Sequence, residues 1–258
     1  MSFLKSILTS ILCLLPCKLA IPLLNIFGHK VALDAKIGFS LILCEKLYLA
    51  KKSRIGHFNF IIIKKLLISD SGYIGPMNYC KGPFYLILKQ KASIGSRNVI
   101  TRSNKNLVCK FTSFKIGVFG KLTADHRVDC MSSVSIGCNT TIAGSGTQIW
   151  THGYYHEPKG SGRFRVDGRV VIGDNVYIGS RCVISMGVSI CDSVTIGSLS
   201  SVAKSISMPG LYVSQPLRHI DSDIDLARKR LIKVENDLLQ ETVYIKPTQS
   251  IDKATSNN

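Results

Sequence analysis

The residues of this chain best suited to moving a proton sit in one stretch, Trp150-Thr-His152-Gly-Tyr154-Tyr-His156-Glu157. An imidazole ionises near neutrality, so it can take a hydroxyl proton and return it at pH 7. Either His152 or His156 can fill that part. Glu157, next to His156, can orient an imidazole and fix its tautomer. Trp150 and Tyr154 are candidates for binding substrate. His126, earlier in the chain, can shape an acceptor site, with an ordinary structural hydrogen bond as an equal alternative. Activation of a hydroxyl by a base, with backbone N–H groups to receive the developing oxyanion, is the chemistry of O-acyl transfer.

What must hold these residues is a six-residue repeat. Ile172, Ile178, Ile184, Ile190, Ile196, Val202 and Met208 fall six apart, Gly follows at 173, 179 and 197, and Val176, Cys182, Val188, Val194 and Ser200 lie four after each apolar residue. Period six belongs to neither a helix nor an ordinary strand; it is a β-helix signature. Each hexapeptide makes one side of a triangular prism, and three sides make a coil of 18 residues, so Ile172 stacks under Ile190. The phase extends back through Ile94, Ile100, Val118, Ala124, Cys130, Ile136 and Ile142, with Asn106 and Thr112 out of pattern. A shifted set runs Val31, Ile37, Leu43, Leu49, Ile55 and Ile61, and Ile68 with Ile74 forms a third phase. The fold class is therefore all-β, a parallel β-helix over 29–212.

The repeat has one large break. Gln148 is in phase and order resumes at Val166 and Ile172, so 149–170 is a loop thrown out of the prism, and loops on rigid scaffolds are where chemistry tends to sit. Residues 1–28 form an apolar segment whose uninterrupted run, Ser6 to Cys17, is too short to span a bilayer. It reads as a helix packed on the domain or lying at a membrane surface. After the prism, 213–258 is an extension with a helix at about 222–244, carrying Ile224, Ala227, Leu231, Val234 and Leu238 in one stripe, then a polar tail. The formal charge of +17 favours anionic partners, but it is scattered without a Lys/Arg block, which argues against nucleic acid. Nine irregularly spaced cysteines, several at inward positions, read as small core residues in a reducing compartment, so the expected location is cytoplasmic, with possible peripheral membrane contact.

Three segments carry a family resemblance: Ile172-Gly-Asp-Asn-Val-Tyr-Ile-Gly-Ser, Ile196-Gly-Ser-Leu-Ser-Ser-Val-Ala-Lys and Ser214-Gln-Pro-Leu-Arg218. They resemble the left-handed β-helix acyltransferases, in the branch of maltose, galactoside and polysaccharide O-acetyltransferases. The resemblance implies left-handed winding, a homotrimer with sites between adjacent prisms, acetyl-CoA as cosubstrate, no metal, and a sugar, nucleotide-sugar or glycan acceptor in surface-polysaccharide assembly. It places the general base at His152, with His156 and Glu157 as competitor or helper. A pantetheine arm lies flat only where side chains are small, which Gly179, Ser180, Ser185, Gly187, Gly197 and Ser198 supply, and the resemblance places acetyl-CoA contacts at Ser198, Ala203 and Lys204 and a nucleotide-phosphate contact at Arg218. Two alternatives stand beside it. One is a non-catalytic scaffold. The other is a zinc enzyme like the γ-type carbonic anhydrases, although the spacings of His126, His152 and His156 match neither a whole number of coils nor that family's close histidine pair.

Overall fold

A computed structural model describes residues 2–104, 111–214, 224–234 and 242–245. Residues 2–214 form one unit and the rest a second. The first unit is a parallel β-solenoid. One face carries nine strands stacked in chain order, from Lys36–Ile37 to Gly210–Tyr212. The other two faces join into a 14-stranded sheet, because the long strands Phe60–Ile68 and Tyr79–Leu88 bend across a corner.

The period is carried by alternation on very short strands. At Tyr177–Ile178, Val183–Ile184 and Ser189–Ile190 the first side chain is exposed and the second buried. The expected 18-residue coil holds where the repeat is most regular: Ile172 pairs Ile190, Ile178 pairs Ile196 and Ile184 pairs Val202. Earlier coils are longer, as Ile61↔Cys80 and Ile68↔Leu88 show, and extra residues are absorbed at the corners.

Several inward positions differ from the periodic reading. Ile116, Leu122 and Val128 fill the core where Val118 and Ala124 were expected, Ile42 replaces Leu43, and Ile149 replaces Gln148. The spacing departs from six each time: it is five from Ile37 to Ile42 and seven from Ile142 to Ile149, and Ile116 follows Ile100 by 16. Met208 is 68% exposed, because the winding is irregular after Val202.

One corner carries a polar ladder. The backbone N–H of Asn59 donates to Ser40 Oγ (3.0 Å), Asn78 N–H to Asn59 Oδ1 (2.9 Å) and Asn98 N–H to Asn78 Oδ1 (2.9 Å). His126 N–H continues to Asn98 Oδ1 (3.0 Å), Thr147 N–H to His126 Nδ1 (3.1 Å) and Cys182 N–H to Thr147 Oγ1 (3.2 Å). Each buried N–H at the turn thus meets a side chain from the coil below, which removes the cost of leaving it unpaired.

Helices α1 (Ser2–Cys13) and α2 (Cys17–Ile26) cap the first coil, burying Leu12, Cys13, Ala20, Ile21 and Leu24. Buried His29 ties the cap down, facing Thr9 Oγ1 through Nε2 (2.8 Å) and accepting Leu47 N–H at Nδ1 (3.0 Å). Neither helix is long enough to cross a membrane. In the second unit the long C-terminal helix is not what forms. Helix α3 spans only Ile224–Lys229, and Ile232–Val234 pairs antiparallel with Val243–Ile245. Isoleucine and valine suit strands better than a helix, which overrides the spacing of three and four.

His126 makes the ladder pH-sensitive. Burial lowers its pKa from 6.5 to about 4, and Nδ1 must stay unprotonated to accept Thr147 N–H. The unfolded chain binds this proton at higher pH than the folded one, so stability present at pH 7 is lost as pH falls from 6.5 towards 4, by at most about 3 kcal/mol. His126→Asn keeps an acceptor of the Asn98 type without the titration. Its urea-unfolding midpoint should fall less than the wild type's between those two pH values.

Candidate active site

The site begins where the repeat is broken twice. Val128 and Ile136, core residues of successive strands, lie eight apart rather than six, and Asp129 ends the first of these strands, Arg127–Asp129, where it runs into the lengthened corner. One coil on, the chain leaves the prism after Ile149, and His152–His156 pairs antiparallel with Arg163–Asp167. The expected loop is therefore a β-hairpin. Gly153 lies in its first strand, where an added Cβ would come within 2.9 Å of Met186 Cε.

Asp129 joins the two breaks. Its Oδ2 accepts Thr151 N–H (3.0 Å), the Thr151 hydroxyl (2.5 Å) and His152 Nδ1–H (2.7 Å), and Oδ1 accepts Met131 N–H (3.3 Å). Thr151, fully buried, also accepts Ser132 N–H at its Oγ1 (2.9 Å). Donors converge on the carboxylate from both strands, so the point at which the chain leaves the prism is fixed. An ionised carboxylate can only accept, so the proton between it and His152 rides on Nδ1. Nε2 is then the basic nitrogen.

His152 borders a cavity of about 260 Å³ with Trp150, Arg165, Arg127, Thr101 and Met131. Its ring meets Trp150 edge-on at 6.5 Å and Tyr154 at 6.1 Å. Arg165 donates to both oxygens of Asp167 (2.6 and 2.7 Å) and stacks over Tyr154. The paired guanidinium holds the Asp167 carboxyl below its usual range and raises the Arg165 pKa. Arg127, in the same wall, makes no ion pair among the described residues.

The structure separates the other expected site residues from this group. His156 and Glu157 are exposed at the far end of the hairpin, four and five residues beyond His152 along an extended strand, roughly 13 Å away. Glu157 therefore does not orient His152; Asp129 does. His126 is 1% exposed with both ring nitrogens engaged, Nε2 by Thr123 Oγ1 (2.9 Å), so it is a ladder residue and cannot touch an acceptor. No group of three His, Cys, Asp or Glu placed to hold a metal occurs among the described residues.

On the expected donor side, Trp150 N–H bonds Ile184 O and Ser185 N–H bonds Val202 O. Trp150, Ser185 and Ala203 therefore stand in one column up a solenoid face. The column ends at a hollow of about 420 Å³ lined by Ser200, Ser201, Ala203, Lys204 and Ser214. Gly179 and Ser198 stack instead at a corner, where a Cβ on Gly179 would lie 2.7 Å from Ser198 N. Ser180 N–H donates to Ser198 Oγ (3.2 Å), and a Cβ on Gly197 would lie 3.1 Å from Val213 Cγ1, so Gly179, Gly197 and Ser198 have a structural reason for being what they are. Arg218 lies outside the described residues. Asp129, Arg127, Arg165 and Asp167 are absent from the sequence reading. For Asp129 a signal existed, the eight-residue spacing around it.

The repeat and the coil register fix the architecture: hexapeptide repeats wound as a parallel β-solenoid. No family model matches the chain. Its sequence is 28% identical over 128 residues to the bifunctional protein GlmU of Neisseria meningitidis serogroup B (strain ATCC BAA-335 / MC58), covering 50% of this chain and 23% of GlmU. This β-helix chain thus spans about a quarter of the length of that relative. Among solved structures it is similar to a maltose O-acetyltransferase from Clostridium difficile 630, with 28% identity, 52% of this chain and 65% of that one covered, and a TM-score of 0.36. It is also similar to the polysialic acid O-acetyltransferase OatWY, with 15% identity, 78% and 92% covered, and a TM-score of 0.47.

The His152–Asp129 bond makes a prediction independent of activity. In nitrogen-15 spectra of the neutral ring, His152 should show hydrogen on Nδ1 and a free Nε2. In Asp129→Asn, whose amide can also donate, the two tautomers should mix. An unchanged His152 pattern in that variant would show that Asp129 does not set the tautomer.

Proposed function

We propose that this chain is an acyltransferase that moves an acetyl group from acetyl-CoA to a sugar hydroxyl in surface-polysaccharide assembly. The observation that carries the reading is the His152–Asp129 pair, with Nε2 as its basic nitrogen, bordering a cavity at the foot of a column of small residues. The residues present fit the cosubstrate. Ser185, Ala203, Ser200 and Ser201 leave room for a thin flexible arm along the solenoid face, and exposed Lys204 suits a phosphate. Acetyl-CoA supplies an activated acyl group on sulfur. The acceptor hydroxyl donates to His152 Nε2, its oxygen bonds to the acyl carbon as the carbon–sulfur bond breaks, and the proton passes from Nε2 to the departing thiolate. Asp129 keeps hydrogen on Nδ1 throughout and stabilises the imidazolium that forms.

The acceptor class follows from the walls. Trp150 in the wall, and Tyr154 beside His152 just outside it, offer aromatic surface for the C–H face of a sugar, and Arg127 offers donors to hydroxyls or carboxylates. The reading includes a homotrimer, with the open flank of the cavity closed by a neighbouring chain, and a cytoplasmic location where acetyl-CoA is made and thiols such as Cys80 and Cys130 stay reduced.

Kinetics with acetyl-CoA and a panel of sugar acceptors test it. His152→Ala should lower kcat by about 10²–10⁴-fold, the usual contribution of a general base. Asp129→Asn should lower kcat by a smaller factor with little change in either KM. His156→Ala and Glu157→Gln should leave kcat within about twofold, since surface side chains far from the reacting atoms contribute little. Thiol release by His152→Ala at the wild-type rate would remove the mechanism. Release from no acceptor at all would remove the function.

A further inference from the structure

The cap of a solenoid normally closes the core with one apolar face and turns a polar face outward, because the outer side must be soluble. Here both faces of α2 are apolar. Ala20, Ile21 and Leu24 point into the core, while Leu19, Leu23 and Ile26 lie on the opposite side, Leu19 59% and Ile26 76% exposed. Helix α1 and the turn after it add exposed Ile11, Leu14 and Leu15. A surface helix that carries an apolar face on its outer side as well as its inner one is covered by something.

Charge identifies the cover. Residues 1–33 contain Lys5, Lys18 and Lys30 and no Asp or Glu; the first acid is Asp34, and Lys36 follows it. Lys18, Lys30 and Lys36 are exposed. Two copies placed cap to cap would bring these lysines together without an acidic partner from the same segment. An anionic bilayer offers hydrocarbon for the leucines and headgroup charge for the lysines together. Helices of 12 and 10 residues cannot span it but can lie in its interface. His29, bonded to Thr9 and to Leu47 N–H, makes the cap rigid against the first coil, so whatever the cap rests on also holds the solenoid.

We propose that the outer face of α1 and α2 docks the protein onto an anionic membrane surface, so that transfer takes place beside the bilayer. The docking surface stands on its own observations and does not depend on the acetyl-transfer reading.

Vesicle flotation of the full chain tests it. The wild type should float with vesicles of phosphatidylcholine and phosphatidylglycerol in equal parts, remain below pure phosphatidylcholine vesicles, and detach as salt is raised. Replacing Leu19, Leu23 and Ile26 together by Gln, which spares the buried face, should lower binding at least about tenfold. The double change Lys18→Ala and Lys30→Ala should weaken binding by about fivefold per lysine. Thermal unfolding of both variants at the wild-type temperature shows that the cap is intact. Wild-type protein that stays in solution with the anionic vesicles overturns the proposal, as does a Gln variant that floats equally well. Self-association that the Gln variant abolishes, without flotation of the wild type, assigns the face to a second copy instead.

Discussion

Everything in this molecule depends on one coil lying on the next. A single coil of two- and three-residue strands cannot bury its own inward side chains or pair its own backbone groups; both needs are met only by the neighbouring coils. Register between coils is therefore enforced at every strand, and departures from it collect at the corners. The corner ladder from Ser40 through Asn59, Asn78, Asn98 and His126 to Thr147 shows the cost being met, since each side chain receives a backbone N–H from the coil above. Because register is restored at the next strand, a corner can lose or gain residues without disturbing the core. The hairpin is the extreme case: Ile136 pairs with Ile172, 36 residues on, as smoothly as Ile172 pairs with Ile190.

The candidate site uses that tolerance. Asp129 ends the strand that leads into a lengthened corner of one coil, and Thr151 and His152 stand where the next coil is interrupted. A buried carboxylate is stable only with its donors in place, and each hydrogen bond to a charged group contributes about 1.5–3 kcal/mol. Removing Asp129 would strand the buried Thr151 N–H and free the His152 ring in one change. The same bond that closes the gap in the fold sets which imidazole nitrogen faces the cavity. Stability and chemistry are thus coupled at one oxygen, Asp129 Oδ2.

Much of the architecture was legible because the repeat states its own geometry. From Ile172 to Val202 the positions, the coil length and the buried set all follow from counting in sixes. Between Leu41 and Ile149 counting fails at Leu43, Val118, Ala124 and Gln148, where spacings shorter or longer than six hide the phase that stacking restores. The stripe at 222–244 misled because spacings of three and four ignore that Ile232, Val234, Val243 and Ile245 prefer extended backbone. For the site, the sequence isolated the break that holds His152, Trp150 and Tyr154, yet it paired the wrong carboxylate with a histidine. Glu157 was near in sequence, whereas Asp129, 23 residues away, is near in space because coils stack. Arg127 reaches the cavity for the same reason and Arg165 through the hairpin, opposite Tyr154, and neither left a local mark.

The central claim is that His152, held by Asp129, works on an acyl thioester lying along the column from Trp150 to Ala203. A crystal structure with acetyl-CoA bound tests it most directly. The account predicts the pantetheine arm beside Ser185 and Ala203, with the thioester carbon in the His152 cavity and space between it and Nε2 for one hydroxyl, roughly 3 Å from each. A thioester resting elsewhere, with His152 Nε2 out of reach of any hydroxyl that could attack it, would contradict the account.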